Sequence, residues 1–233
     1  MFCDNWTHQW DDLMTADTIE VLEDIENNLP DSVYYPKKEN VLRFLQMETP
    51  VKVVIVGMDP YPSFNDRDGI PQATGRSFEV SELFGQTWEY KIKQSSLRNM
   101  LKSVYFNETK DECSMEELRN KISSEEFKIA PPTEWFDNLE KQGVLFLNST
   151  LTVKPGKAGS HKKYWEPFRK ILIPYLESQG VTWMLWGNNA RDEVGEYLSD
   201  NSKVLLATHP RMPDFVKTNT FQFVKDIDWK GLS

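Results

Sequence analysis

The sequence has few cysteines and histidines and no long apolar run. Two cysteines, Cys3 and Cys113, cannot build a disulfide framework or a cysteine metal site, which favours a reducing compartment. The three histidines, His8, His161 and His209, are scattered without clustered partners, so we expect no zinc site. No apolar stretch approaches the roughly 20 residues of a membrane span, and no signal peptide opens the chain. We therefore expect a cytoplasmic protein with no membrane partner.

Three common active-site motifs are also missing. The chain contains no Gly-x-Ser-x-Gly, no Gly-x-x-x-x-Gly-Lys and no Gly-x-Gly-x-x-Gly sequence. Their absence excludes a nucleophile elbow, a phosphate-binding P-loop and a dinucleotide fingerprint. What is present, 39% hydrophobic, 12% aromatic and 27% charged residues over 233 positions, is typical of one folded domain.

The negative charge is unevenly distributed. The net charge is −9, but residues 1–36 alone hold nine acidic residues and no lysine or arginine. The remaining residues carry 27 acidic and 27 basic side chains, and residues 154–170 hold six basic residues against Glu166 alone. We interpret the acidic N-terminal segment as a solvated face. Because of this local positive charge, a nucleic acid with its phosphate backbone is still a candidate partner, since the distribution of charge matters more than its sum.

The order of predicted elements indicates an α/β protein. Continuous apolar runs predict buried parallel strands at residues 51–56, 144–147, 181–186 and 204–207. Helical patterns cover residues 17–29, 38–46, 95–105, 133–142, 164–178, 190–198 and 214–225, and an insertion at 107–130 holds one more, about 115–122. Strands alternating with helices predict a three-layer α/β/α sandwich around a central four-stranded parallel sheet. We expect residues 1–233 to form a single domain.

Polar side chains follow the predicted strands where each strand ends. Asp59 follows the first strand, Asn148 the second and His209 the fourth. Ligands of open α/β sheets bind at the carboxyl ends of the strands. Singly, each residue could be structural: Asp59 before a proline opens a turn, Asn148 could tie down a loop, and His209 could be a half-buried histidine. Their joint placement predicts an active site with a carboxylate, an amide and an imidazole.

Six segments carry a more specific pattern. They are Gly57-Met58-Asp59-Pro60-Tyr61-Pro62, residues 71–80, 94–99 and 142–153, Ala158-Gly159-Ser160-His161, and His209-Pro210. In this order they resemble the motifs of the uracil-DNA glycosylases, from about residue 51 to the C-terminus. The resemblance implies a hydrolase of base-excision repair that flips uracil out of DNA, releases it and leaves an abasic site.

The resemblance also implies the chemistry of the site. Asp59 would activate a water molecule and stabilise a cationic sugar, and His209 would donate a hydrogen bond to the uracil O2. Backbone N–H groups after Gly57 would assist, and Met58 is tolerated there because no side chain is required. No metal or cofactor is implied.

Recognition of the base is implied for three further residues. Phe78 would stack on the flipped base, although it could equally be a core aromatic. Asn148 would match the N3–H and O4 groups of uracil, and cytosine presents the opposite pattern. Tyr61 would occupy the space that a thymine methyl requires.

Contacts with the DNA backbone are implied for a larger set of polar residues. These are Ser96, Ser160, Lys162, Lys163 and Arg211. Met212 or Phe215 would be the apolar wedge in the base stack, because no leucine occupies the place that the family gives it. Partners would be uracil-containing DNA and a DNA-mimicking protein inhibitor, and the protein would be a monomer.

Departures from the family pattern leave two alternatives open. Pro62 replaces a histidine of the first motif, the loop between Pro62 and Phe78 is longer than usual, and the wedge loop is altered. The altered wedge loop and Pro62, together with the acidic N-terminal segment and the insertion at 107–130, fit a catalytically weak relative that binds DNA or a protein as an adaptor. A mismatch-directed glycosylase is the other alternative, but such sites usually carry asparagine where this chain has Asp59.

Overall fold

A computed structural model describes Phe2 and residues 5–233; Cys3 and Asp4, which entered the sequence arguments, lie outside the described residues. The described residues form four strands: β1 (Val53–Gly57), β2 (Val144–Asn148), β3 (Thr182–Trp186) and β4 (Lys203–Ala207). All pairings are parallel, in the spatial order β2-β1-β3-β4. Each strand lies within two residues of its predicted position, and the predicted four-stranded parallel sheet is confirmed.

The sheet divides the core into two apolar layers. Val53 and Ile55 of β1 face one layer together with Phe146 of β2, whereas Val54 and Val56 face the other. This alternation follows from the two-residue period of a strand, and burial on both faces explains why the sequence shows continuous apolar runs.

In the part of the chain that the structure describes, six α-helices cover the sheet. They are α1 (Ala16–Asn28), α2 (Ser95–Thr109), α3 (Met115–Ser123), α4 (Pro132–Lys141), α5 (Lys162–Ser178) and α6 (Asn188–Val194). Helices α2, α3 and α4 bury residues in the layer with Ile55, and α1, α5 and α6 bury residues in the layer with Val54. The three-layer α/β/α sandwich is thereby confirmed.

Local sequence signals define several helix ends. The Thr15 hydroxyl accepts a hydrogen bond from the N–H of Thr18 at the start of α1. Ser114 and Glu117 form a capping box at the start of α3, and α4 begins at Pro132. The segment predicted as an insertion contributes Leu118 to the core, so it is packed into the fold.

Two predicted helices are wrong. The segment 38–46 forms two 3₁₀ turns, Lys38–Asn40 and Arg43–Gln46, separated where Leu42 leaves helical geometry at φ −112°. The segment 214–225 likewise forms 3₁₀ turns at Pro213–Lys217 and Thr220–Phe223, because Asn219 adopts a left-handed conformation with φ 53°. Apolar spacing alone does not reveal such interruptions.

Within the described part of the chain, no helix combines the length and hydrophobicity needed to cross a bilayer.

Candidate active site

A cavity of about 290 Å³ opens at the carboxyl ends of the strands. Asp59, Tyr61, Phe78, Asn148 and His209 all line it. It lies beyond β1 and β3, where successive connections of the sheet run in opposite directions, which is the place where open α/β sheets bind ligands. The carboxylate, the amide and the imidazole singled out in the sequence thus border one cavity.

Asp59 is half-buried and held by a distant backbone group. Its Oδ2 accepts a hydrogen bond from the N–H of Gly159 at 2.6 Å. Burial raises the pKa of the Asp59 carboxyl, and the Gly159 hydrogen bond, which favours the ionised form, opposes that rise. The result is a carboxylate poorly solvated by water and oriented by the protein.

The His209 ring has a defined tautomer when neutral. Its Nδ1 accepts a hydrogen bond from the backbone N–H of Arg211 at 3.0 Å, which leaves the proton on Nε2. Burial, together with the positive charge of Arg211, lowers the pKa of His209 and so favours the neutral ring. A β-carbon at Gly187, where φ is +86°, would lie 2.9 Å from the His209 Cβ, so glycine makes room for this histidine.

Asn148 is the last residue of β2 and is 95% buried. It pairs in register with Gly57, the last residue of β1. A β-carbon at Gly57 would lie 2.4 Å from the Asn148 Oδ1 and 2.7 Å from the Ser77 Cβ. Glycine at the end of β1 therefore allows the amide to reach the cavity.

Two aromatic rings form apolar walls of the cavity. Phe78 is buried, belongs to the core and packs 5.9 Å from the Trp186 ring. It adopts a left-handed backbone conformation with φ 65°, which is strained for a non-glycine residue and recurs at functional sites. Burial, aided by the charge of Glu82, raises the pKa of Tyr61 to about 12, so this ring is neutral at physiological pH.

Three further predicted residues lie at the cavity. Met58, Ser96 and Arg211 line it, and the Met58 sulfur accepts a hydrogen bond from the Asn189 amide. The Asn99 side chain donates to the carbonyl of Pro210, at 2.8 Å, and so ties helix α2 to the loop after His209.

The remaining predicted polar contacts lie outside the cavity lining. The Ser160 hydroxyl oxygen accepts a hydrogen bond from the N–H of Lys154 at 2.8 Å. Lys162 forms an ion pair with the buried Glu193, and Lys163 lies over the Tyr164 ring at 4.8 Å. Lys162 thus has an intramolecular partner that a phosphate would have to displace.

The two candidate wedges differ in exposure. The Met212 side chain is 47% exposed. Phe215 is fully buried and packs against Trp186 at 4.9 Å and against Phe221, so its assignment as a DNA-contacting wedge is corrected. A buried core ring cannot enter a base stack without opening the core.

Sequence reasoning missed several residues of this site. Trp186 and Asn189 line the cavity, and Gly159 holds the Asp59 carboxylate. Trp186 is the last residue of β3 and Asn189 follows soon after it, so the strand-end argument reaches both residues although it gave neither a role. The contact between Gly159 and Asp59 joins residues 100 positions apart, and local spacing does not predict it.

The fold and the cavity define an α/β enzyme whose site lies at the carboxyl ends of a parallel sheet. No family model matches the chain. The chain is 30% identical to the uracil-DNA glycosylase of Francisella philomiragia over 95% of its own length and 99% of that protein. The UNG crystal structure from Nitratifractor salsuginis shares the fold with a TM-score of 0.71 and 21% identity, over 93% of this chain and 89% of that chain.

A variant mimivirus UNG in complex with UGI has the same fold. Its TM-score is 0.60 at 23% identity, over 88% of this chain and 70% of that chain. The chain belongs to the uracil-DNA glycosylase family. The resemblance read from the motifs is thereby confirmed.

Proposed function

We propose that this protein hydrolyses the N-glycosidic bond between uracil and deoxyribose in DNA, which releases uracil and leaves an abasic site. The observation that carries the proposal is the single cavity bordered by Asp59, Asn148 and His209. Membership of the uracil-DNA glycosylase family supports the same reaction.

The role proposed for Asp59 follows from the charge that develops on the sugar. The bond between C1′ and N1 breaks with its electron pair moving to uracil, which leaves as an anion and takes up a proton from solvent after release, and the sugar becomes cationic. The Asp59 carboxylate stabilises this cation and orients a water molecule whose oxygen bonds to C1′. The water proton passes to the carboxylate and then to solvent.

His209 acts on the departing base. The electron pair that uracil receives is delocalised onto O2, where a hydrogen bond from His209 Nε2–H stabilises it. A neutral ring that already accepts from the Arg211 N–H through Nδ1 presents the required donor without reorganisation. Backbone N–H groups after Gly57, the last residue of β1, assist.

Selection of uracil is proposed for three cavity residues. The Asn148 amide can accept from N3–H and donate to O4 at once. Tyr61 fills the space of a thymine 5-methyl group and rejects it by a steric clash. Phe78 stacks on the flipped base, and its packing against the core keeps the ring in place.

DNA is held by residues around the cavity. We assign phosphate contacts to Ser96, Ser160, Lys163 and Arg211, and the wedge to the exposed Met212. The Ser160 hydroxyl oxygen accepts a hydrogen bond from the backbone N–H of Lys154, and its own proton can be donated to a phosphate oxygen. Lys162 contributes only if DNA displaces it from Glu193.

We extend the proposal to the whole chain and its setting. Residues 1–233 work as one domain, as a monomer, inside the cell and without a cofactor. A DNA-mimicking protein inhibitor is proposed as a further partner, supported by the mimivirus UNG structure in complex with UGI. Sedimentation of the purified protein alone and with inhibitor checks both the monomer and the complex.

The test uses an oligonucleotide that contains one uracil. The protein is incubated with it in EDTA, and alkali then cleaves any abasic site. Strand cleavage that depends on uracil is the expected result. Intact strands at high enzyme concentration, with DNA binding that Asp59→Asn leaves unaltered, would indicate the adaptor instead; among the described residues, no observation favours that alternative.

A further inference from the structure

The loop between β2 and α5 supplies the group that holds the Asp59 carboxylate. The N–H of Gly159 donates to Asp59 Oδ2 at 2.6 Å. Gly159 is exposed, has φ +71° and has no side chain to fix its position. The direction of this N–H therefore depends on how the rest of the loop is anchored.

Both ends of this loop are anchored by one carboxylate from the acidic N-terminal segment. Asp31 accepts a hydrogen bond from the Lys154 ammonium at 2.6 Å and one from His161 Nε2 at 3.2 Å. A backbone bridge between Tyr35 and Val153, with N···O distances of 2.9 and 2.8 Å, brings the two segments together beside this contact. The Lys154 N–H also donates to the Ser160 hydroxyl, which closes the loop.

The His161 ring is fully buried and its hydrogen bonds are directional. The Asp31 carboxylate only accepts, so His161 carries a proton on Nε2. Nδ1 lies 2.9 Å from the Thr152 hydroxyl, which accepts the indole N–H of Trp165 at 2.7 Å and can donate its own proton to the ring. This series of hydrogen bonds runs from the Trp165 indole of helix α5 through Thr152 and His161 to Asp31. It fixes the end of the loop at His161, two residues after Gly159.

We propose that Asp31 and His161 are positioning residues that fix the loop of residues 154–161 so that the Gly159 N–H holds the Asp59 carboxylate. The inference deepens the proposed function and rests on it for the catalytic role of Asp59. Asp31, one of the acidic residues of the N-terminal segment, therefore helps to position a group of the site.

The test compares Asp31→Asn with Asp31→Glu and with a matched control, Glu23→Gln. Glu23 is exposed in the same segment, so its variant removes one negative charge at a distance from the loop. The Gly159 amide resonance is followed by NMR against pH, because a donor 2.6 Å from a carboxylate reports its titration. Other titratable groups at the cavity, among the described residues, are Tyr61, Arg76, His209 and Arg211, and no variant alters them.

We expect the Gly159 amide of the wild type and of Glu23→Gln to titrate with Asp59. In Asp31→Asn the amplitude should fall and the midpoint should rise by about half a pH unit or more, because the ionised carboxyl loses a donor. The kcat of uracil release should fall by about three- to ten-fold, and KM should change little. The low-pH side of the rate profile, where Asp59 becomes protonated and the rate falls, should move to higher pH. Asp31→Glu, which keeps the carboxylate, should recover most of both effects.

A Gly159 titration in Asp31→Asn that coincides with the wild type would overturn the inference, and a lowered melting temperature alone would then mark Asp31 as merely structural. The NMR measurement does not need turnover. If the Gly159 titration shifts as expected in Asp31→Asn but the wild type never releases uracil, the proposed function is contradicted. The positioning of Asp59 by the loop would still stand.

Discussion

The backbone N–H of Arg211 donates a hydrogen bond to Nδ1 of His209 at 3.0 Å. This contact determines which nitrogen of the neutral ring carries the proton. It also makes the direction of the His209 Nε2–H donor depend on the loop that bears the exposed Met212. The position of that loop and the orientation of the imidazole are therefore linked.

His209→Gln should therefore slow uracil release strongly. The glutamine amide is a donor, but it lacks the ring geometry fixed by the Arg211 N–H. Loss of one such donor costs about 10²- to 10³-fold in rate. Single-turnover release of uracil measures this, with unchanged DNA affinity as the control. A loss below three-fold would exclude a role at the uracil O2.

The pH dependence of uracil release should show an acid limb governed by Asp59. The reaction needs the ionised carboxyl, so the rate falls as pH drops through the Asp59 pKa. Burial raises that pKa above its ordinary 3.8, and the limb should be displaced upward accordingly. A kcat/KM profile records the midpoint. An acid limb at or below the ordinary aspartate value would contradict the burial of this group.

Asn148→Asp should change which base is released. An aspartate retains an acceptor but loses the amide donor that fits O4 of uracil. Its protonated form can donate to N3 of cytosine and accept from N4–H, so it fits cytosine better than the amide does. We expect uracil release to fall by about 10²-fold or more and the ratio of cytosine to uracil release to rise. Competition between matched oligonucleotides with either base gives the ratio. Unaltered discrimination would show that this side chain does not read the base edge.

Arg76→Met should destabilise the fold, because a buried charge network would lose one of its two cations, Arg76 and Arg43. The Arg76 guanidinium pairs with Glu79, 3.1 Å away and almost fully buried, and with Asp137 and Glu140 on α4. Removing one member of a buried network costs about 3–5 kcal/mol. Urea unfolding measures the loss, and Lys170→Met, at an exposed helical ion pair that solvent screens, is the matched control with little expected loss.

The sheet and the central residues of the site could be predicted from the sequence because both rest on short-range patterns. Buried strands read as apolar runs, and Asp59, Asn148 and His209 each follow the end of one. Contacts across long separations could not be predicted: Gly159 meets Asp59 100 positions away, and Asp31 meets His161 130 positions away. The burial of Phe215 was missed for a related reason, since its partner Trp186 belongs to a distant strand.

Asp59 is proposed to perform the chemistry in a cavity that selects uracil. Single-turnover uracil release from a duplex with one uracil, compared between the wild type and Asp59→Asn, tests this role. Asparagine keeps an acceptor for the Gly159 N–H and removes a buried carboxyl whose pKa is raised, so the variant should be at least as stable as the wild type at neutral pH.

We predict uracil release by the wild type and a rate lower by about 10²- to 10⁴-fold for Asp59→Asn, with DNA affinity and melting temperature maintained. Equal rates of uracil release by the two proteins would contradict the role of Asp59, and no release by the wild type would contradict the proposed activity.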